Sequence, residues 1–360
     1  RGGRWEDFCI SGRGSDPDSD GRNRFSGSLT MLLFDLDRPA QFFAQDLLSE
    51  PEGAREELRR LGFRDPDRVL RNLQGLVEPG GAPPLPADLF RELVAAPNPD
   101  RALNNFERLT QAVLGRSAFY RALEDYPGTC RFLVHLLGSS QFLSDTLVRD
   151  PEYFYWLVET PERLLQPRAK AALSAEFAAE AVVFQTLEAR LNALRRLVRR
   201  ELLRIGVGDL MGRPMQEVAA ELSDLADVCL QRLLDLLVPE LDARYGSPQN
   251  RDGSRAEFTI IGLGKLGGRE LNFSSDIDLM FVYSGEGDTG GGGSEGGPIS
   301  NQVYFFRLSE RILKAATEPT EEGFLYRIDM RLRPDGASGA LTMPLSAYES
   351  YYVRRGELWE

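Results

Sequence analysis

Two hydrophobic rhythms divide the chain near residue 250. Up to that point apolar positions recur at i, i+3 and i+4, the spacing that lines one face of a helix. LLFDLDRPAQFFAQDLL, RALNNFERLTQAVL and TCRFLVHLLGSSQFLSDTLV each carry it and predict a helical region. SAEFAAEAVVFQTLEARLNALRRLVRRELLRIGVGDL contains no proline and predicts one long helix ended by Gly206 and Gly208. PMQEVAAELSDLADVCLQRLLDLL predicts a second, and the LMGRP connection would fold the two into an antiparallel hairpin. Beyond residue 250 the period falls to two. EFTIIGLG, IDLMFVYS and GFLYRIDMRLRP predict three strands, with NQVYFFRLSERILKAATE as an amphipathic helix before the third. The expected class is α+β, a helical region followed by a sheet-bearing module.

Punctuation sets the boundaries. Residues 1–28 are rich in Gly, Ser, Asp and Arg and hold little that could bury an apolar face, which predicts a disordered arm. Residues 29–170 form the expected helical region, 171–250 the long helical hairpin and 251–360 the sheet-bearing domain. EPGGAPPLPADLF interrupts the helical region, and Asp150-Pro151 and Thr160-Pro161 mark further helix starts. GEGDTGGGGSEGG, within residues 285–298, predicts a flexible loop. The sequence opens on Arg1 rather than Met and stops at Trp359-Glu360, so a fragment truncated at the C-terminal end of its last domain is expected.

Composition then narrows the chemistry. The chain has 360 residues, a length that suits two domains or three, and 42% hydrophobic residues supply a sizeable core. It holds no apolar run long enough to span a bilayer and no secretory signal pattern, so no membrane partner is expected. Cys9, Cys130 and Cys229 lie far apart, which argues against a disulfide framework or a zinc site and fits the cytoplasm. His135 is the only histidine and sits in an apolar helical run, as a satisfied or surface residue would. Neither a histidine-based triad nor a histidine-rich metal site can be built. A net charge of −12 repels nucleic acid, so no nucleic-acid partner is expected. The basic cluster Arg195, Arg196, Arg199, Arg200 and Arg204 reads as a solvated helix face, because acidic residues surround it. Any catalysis must rest on carboxylates.

Two strands carry them. In SSDIDLMFVY a period of two places Asp276 and Asp278 on one face, away from Ile277 and Leu279. In FLYRIDMRLRP it places Arg327, Asp329, Arg331 and Arg333 on one face and Ile328, Met330 and Leu332 on the other. If the strands are neighbours, Asp276, Asp278 and Asp329 converge. Three close carboxylates would force protonation of one of them unless a cation sits among them. Mg²⁺ suits such oxygen ligands together with substrate phosphates, and two ions could neutralise both sides of a phosphoryl group in transfer. GLGKLGGRELNFSSD supplies the phosphate side. Gly262, Gly264, Gly267 and Gly268 let the backbone approach an anion, Lys265 adds a mobile positive charge, and Ser275 adds a hydroxyl. A Walker A spacing is absent, and a dinucleotide fingerprint would want one acidic residue about 20 positions on rather than a D-x-D pair. A glycine turn, D-x-D entering a strand and an aspartate on a later strand is the arrangement of the polymerase-β-like nucleotidyltransferases. The bland alternative is a glycine loop beside a solvated acidic turn.

The runs GLGKLGGRELNFSSDIDLMFVY and YRIDMRLRPDGASGALTMPLSAYESYYVRRGELWE closely resemble the bacterial glutamine synthetase adenylyltransferase/adenylyl-removing enzymes. RALNNFERL, LLGSSQFLSDTLVRDPEYFYWL and RRELLRIGVGDLMG resemble the helical part of the same family, so the likeness covers roughly residues 95–360. The resemblance implies one of two nucleotidyltransferase domains. RDPEYFYWL and DMRLRPDG, with Met330 after the aspartate, resemble the N-terminal, adenylyl-removing one. That domain takes AMP from a tyrosine of glutamine synthetase with inorganic phosphate and releases ADP. Its forward counterpart moves AMP from ATP to glutamine synthetase and is the alternative; a non-catalytic docking or regulatory module is a second. By the same resemblance Asp276, Asp278 and Asp329 hold Mg²⁺, as one ion or two. Gly264, Lys265 and Gly267 form the phosphate-side turn, and Arg331 and Arg333 lie near the phosphates or near Asp329. Implied partners are glutamine synthetase, ADP or ATP, phosphate and a PII-type signalling protein.

Overall fold

The computed structural model describes residues 40–77, 84–125, 128–159, 164, 166–291, 293–294 and 297–356. The expected arm at 1–28, the Thr160-Pro161 helix start and Trp359-Glu360 lie outside them. The chain divides into two compact units, one running to Gln166 and including Gly206–Arg213, the other made of Pro167–Ile205 and the residues from Pro214 on.

The first unit is helical, as its periodicity predicts. It contains α1 (Ala40–Ser49), α2 (Pro51–Arg60), α3 (Pro66–Val77), α4 (Leu89–Ala95), α5 (Pro99–Ala112), α6 (Arg116–Asp125), α7 (Thr129–Ser139), α8 (Gln141–Arg149) and α9 (Glu152–Glu159). Pro99 presets the first turn of α5, and the Asn98 side chain accepts the Arg101 amide. The run TCRFLVHLLGSSQFLSDTLV is two helices rather than one. Ser140 is extended, and its hydroxyl accepts the Leu143 amide at 3.3 Å, so it caps a new helix. Phe106, Phe119 and Phe154 anchor the core, with the last two rings edge to face at 5.0 Å. His135 lies exposed on α7, and Cys130 is buried.

The second unit contains α10 (Lys170–Val183), most of α11 (Leu187–Leu210) and α12 (Met215–Tyr245). The single long helix expected across this region is interrupted. Phe184 is extended, and Thr186 restarts the helix by accepting the Ala189 amide at 3.2 Å. Gly206 and Gly208 do not end α11, which runs on to Leu210. A Cβ at Gly206 would stand 2.7 Å from the Leu143 side chain, so the glycine serves close packing against α8. α11 and α12 run antiparallel as expected: Arg204 meets Glu221, and Arg195 lies near Cys229.

Beyond them follow β1 (Phe258–Leu263), α13 (Gly264–Gly267), β2 (Ile277–Tyr283), α14 (Asn301–Thr317), β3 (Ile328–Asp329), β4 (Thr342–Pro344) and α15 (Leu345–Arg354). β2 is the central strand. It pairs antiparallel with β1, and parallel with β3 at its start and β4 at its end. β3 and β4 therefore share one edge of β2, with residues 330–341 looping out between them. Ile277, Leu279, Phe281 and Tyr283 pack against Leu225 and Leu233 of α12 and Tyr304, Phe305 and Ile312 of α14. On the opposite face Met280 and Val282 meet Tyr348 of α15, whose hydroxyl donates to the Phe281 carbonyl at 2.9 Å.

Four expectations need correction. The hairpin at 171–250 and the module at 251–360 are not separate bodies, because they share one core. The third strand is two residues long rather than the whole of GFLYRIDMRLRP. The Arg331 amide donates to Asp329 Oδ1 at 2.8 Å, an aspartate turn that takes the chain out of the sheet, and Leu332 is left exposed. Arg327, Asp329, Arg331 and Arg333 therefore do not share a strand face.

The described part of the glycine-rich loop is tied down rather than free. The Thr289 amide donates to the Ile299 carbonyl at 2.8 Å and Gly290 to Ser247 at 3.0 Å. Asn301 Nδ2 donates to the Gly285 carbonyl at 2.8 Å. The arginine cluster of α11 is not a solvated face either. Arg195 is buried and donates to the Ala315 carbonyl at 2.9 Å, and Arg196 and Arg199 converge on Glu322. Arg200 pairs with Glu176 at 2.6 Å, and Arg204 with Glu201 at 2.8 Å and with Glu221. Apart from Glu201, these acceptors come from other segments, so the local charge pattern could not reveal them. No helix among the described residues is long and apolar enough to cross a membrane.

Candidate active site

Strand register builds the site. Leu263 of β1 stands opposite Asp278 of β2, and Asp278 opposite Asp329 of β3, so the middle carboxylate lies between a strand end and a second carboxylate. The alternation that buries Ile277 and Leu279 in the helical core turns Asp278 to the other face, as the period of two predicts. Asp276 precedes it by two residues, where the chain enters the sheet through the Ile277 amide bond to the Arg327 carbonyl at 2.9 Å.

The two outer carboxylates are neutralised and the middle one is not. Asp276 accepts from Arg327 Nε at 2.5 Å, and that guanidinium also donates to the Ser274 carbonyl. Asp329 takes the guanidinium and the amide of Arg331, which hold its pKa below the usual carboxylate range. The pKa of Asp278 is raised, first by burial and then by the negative charges of Asp329 and Asp276. No hydrogen bond to its side chain offsets this among the described residues.

Gly264 closes the other side. It has φ +52°, and a Cβ there would collide with the Asp278 carboxylate, so only glycine fits both the backbone and the neighbour. α13 runs from Gly264 to Gly267 and carries Lys265, whose Nζ donates to Ser275 Oγ at 3.3 Å; the Ser275 hydroxyl donates in turn to Asn272.

Asp276, Asp278, Asp329, Gly264, Lys265, Gly267, Ser275 and Arg331 thus lie around the start of β2. Arg333 is placed differently. Its guanidinium donates to the carbonyls of Met330 (2.6 Å), Ala337 (3.1 Å), Gly339 (3.1 Å) and Ala340 (3.2 Å), and so holds the 330–341 loop closed. Arg327 and Asn272 join the site without having been singled out. For Arg327 a signal existed, since it stands two residues before Asp329; for Asn272 there was none.

Among the described residues no three acidic, histidine or cysteine side chains stand as a preformed metal cluster. Asp276 and Asp329 turn instead to their arginines, as mutually repelling carboxylates would. The donor set still suits a hard divalent cation, being all carboxylate oxygen, and among the described residues nothing is hydrogen-bonded to the Asp278 side chain.

The model of the family described as glutamate-ammonia ligase adenylyltransferase matches residues 130–360. Curated relatives carry the name bifunctional glutamine synthetase adenylyltransferase/adenylyl-removing enzyme. One from Burkholderia pseudomallei is 43% identical over 198 residues, 54% of this chain and 21% of the relative. One from Pseudomonas putida is 34% identical over 327 residues, 86% of this chain and 33% of the relative. One from Thioalkalivibrio sulfidiphilus is 35% identical over 257 residues, 68% of this chain and 26% of the relative. The chain spans about a fifth to a third of the length of these relatives. The family match covers the whole second unit, the carboxylates and their arginines included, and the chain belongs to the glutamate-ammonia ligase adenylyltransferase family.

Proposed function

We propose that this chain is the adenylyl-removing module of its parent protein. It is a polymerase-β-like nucleotidyltransferase that takes AMP from an adenylylated tyrosine of glutamine synthetase by phosphorolysis. One observation carries the reading: Asp278 and Asp329 stand side by side in register, with Asp276 two residues back and Gly264 giving up its side chain to make room. Met330 directly after Asp329, and the RDPEYFYWL segment, favour the removing direction over the forward one.

In the reaction an oxygen of inorganic phosphate attacks the α-phosphorus in line. The bond to the tyrosine oxygen breaks, ADP forms, and the phenolate takes up a proton. Mg²⁺, as one ion or two held by Asp276, Asp278 and Asp329, would supply charge neutralisation on the phosphate oxygens. The chain's residues position and screen. Lys265, held by Ser275, and Arg331 offer positive charge at the two flanks of Asp278. Arg327 and Arg331 orient the outer carboxylates. Arg333 keeps the loop after Asp329 closed. The setting is the cytoplasm, and a PII-type protein is the expected regulator.

The test supplies adenylylated glutamine synthetase, phosphate and Mg²⁺ to this chain and to D276N/D278N. ADP release by the parent alone supports the reading. AMP transfer from ATP instead moves the chain to the forward half. Neither reaction from a folded parent that Mg²⁺ does not stabilise would leave a docking or regulatory module, and failure to bind Mg²⁺ would remove the metal from the account.

A further inference from the structure

A second polar concavity lies in the first unit. Residues from the start of α3, from α5 and from the start of α8 line a groove of about 550 Å³. Four arginines enter it, Arg64, Arg68, Arg101 and Arg108, in a chain whose net charge is −12. Only Arg108 is ion-paired, to Asp145 at 2.7 Å. Arg68 donates to Asn104 Oδ1 at 2.6 Å and Arg101 to the Ser139 carbonyl at 3.2 Å, so neutral acceptors aim both guanidiniums without discharging them. Among the described residues Arg64, Arg68 and Arg101 have no carboxylate partner.

The two acidic residues on the wall are already committed to the backbone. Asp100 accepts the amides of Arg64 (2.8 Å) and Asp65 (3.0 Å), and Asp65 accepts that of Arg68 (3.0 Å). Beneath the groove Asn105 is fully buried. It donates to the Leu137 carbonyl at 3.1 Å, accepts from Arg108 at 3.0 Å and exchanges bonds with Gln141 at 3.2 Å, which fixes the floor. Polar positions 101, 104, 105 and 108 recur along one face of α5, opposite the face that buries Leu103, Phe106 and Leu109.

We propose that this groove binds a small phosphorylated anion. Three arginines without an ion-pair partner leave the groove a positive charge that Asp65 and Asp100 offset only in part, and the guanidinium fork matches phosphate oxygens two at a time. A volume of this size suits a small molecule, and arginines aimed in advance lose little freedom on binding it. The site is distinct from the carboxylate centre and does not depend on the reading of that centre.

The experiment titrates inorganic phosphate and pyrophosphate into the full chain by calorimetry, at low ionic strength, with chelator present and no divalent cation. The parent is expected to bind one equivalent. R68Q/R101Q should weaken binding tenfold or more. R91Q, which removes a charge that Asp88 pairs outside the groove, should leave it unchanged, and K265A reports any binding at the carboxylate centre. Circular dichroism and melting of each variant confirm the fold. Equal affinity in R68Q/R101Q and the parent, loss in K265A instead, or no binding by the parent at millimolar anion would each overturn the proposal. So would binding of an acidic peptide through these arginines with no response to either phosphate probe.

Discussion

Replacing Asp278 by asparagine should make the protein more stable while destroying its proposed activity. Asp278 is pressed by two neighbouring carboxylates and by burial, and no hydrogen bond to its side chain is lost in the exchange. Strand neighbours sit about 4.8 Å apart, and two charges at that range interact by about 3 kcal/mol at an effective dielectric of about 20. Arg331 already neutralises Asp329, and solvent reaches the site, so about 1 kcal/mol should remain. A raised folded-state pKa means that the native state holds the proton longer than the unfolded chain does. Stability therefore falls as pH rises from the ordinary aspartate value through the raised one, and the penalty is fully present at neutral pH. D278N should melt about 2–4 °C above the parent at pH 7. The difference should vanish below about pH 3, where the parent's carboxyl is protonated. Mg²⁺ should raise the parent's melting temperature and leave that of D278N nearly unmoved. Thermal melts at both pH values, with and without Mg²⁺, decide the matter. A D278N protein no more stable than its parent at neutral pH, or a gain that persists in acid, would refute the like-charge argument.

Other perturbations probe the surroundings. G264A should cost about 1–2 kcal/mol for a side chain at positive φ and, by displacing the Asp278 carboxylate, lower ADP release about a hundredfold; activity within a few-fold of the parent would contradict the contact. R331Q should raise the Asp329 pKa toward the ordinary carboxylate value, read by carboxyl NMR titration. The stability that Arg331 lends is present above that ordinary value and is lost as pH falls through the depressed one. R333A should cost about 1–3 kcal/mol by opening the 330–341 loop, and R333K, lacking the fork, should recover little of it in urea denaturation. R204M should cost about 1–3 kcal/mol by removing one cationic partner of the buried Glu201 and Glu221, which keep their bonds to Arg168 and Arg200, and a melting temperature equal to the parent's would contradict this.

The parts of the structure legible in the sequence were those that local period determines. The helical first region, β1, β2 and α14 each announce themselves by spacing, and Asp276 and Asp278 fall on one face because alternation leaves no choice. The length of β3 was not legible. FLYRIDMRLRP alternates cleanly, yet one side-chain bond from the Arg331 amide to Asp329 ends the strand, and period analysis does not see a side chain competing for backbone. Arg333 was misplaced by the same extrapolation. The break at Phe184 carries no glycine or proline to signal it, and Gly206 reads as a stop where it is a packing contact. The arginines of α11 looked solvated because acceptors such as Glu221, Ala315 and Glu322 lie from 17 to 126 residues away, beyond any local window.

The shared core has a consequence for how the protein can be cut. α12 and α14 both pack beneath the sheet, in one core with Ile277, Leu279, Phe281 and Tyr283. A fragment begun at residue 251, where the sequence rhythm changes, would keep α14 but lose α12, leaving part of that face open to solvent and inviting association. Removing α10 and α11 would also strip the arginines that anchor Glu322 and the end of α14. The smallest piece that keeps the carboxylates on a supported sheet therefore begins near Pro167, with the hairpin as half of the domain's interior rather than its handle.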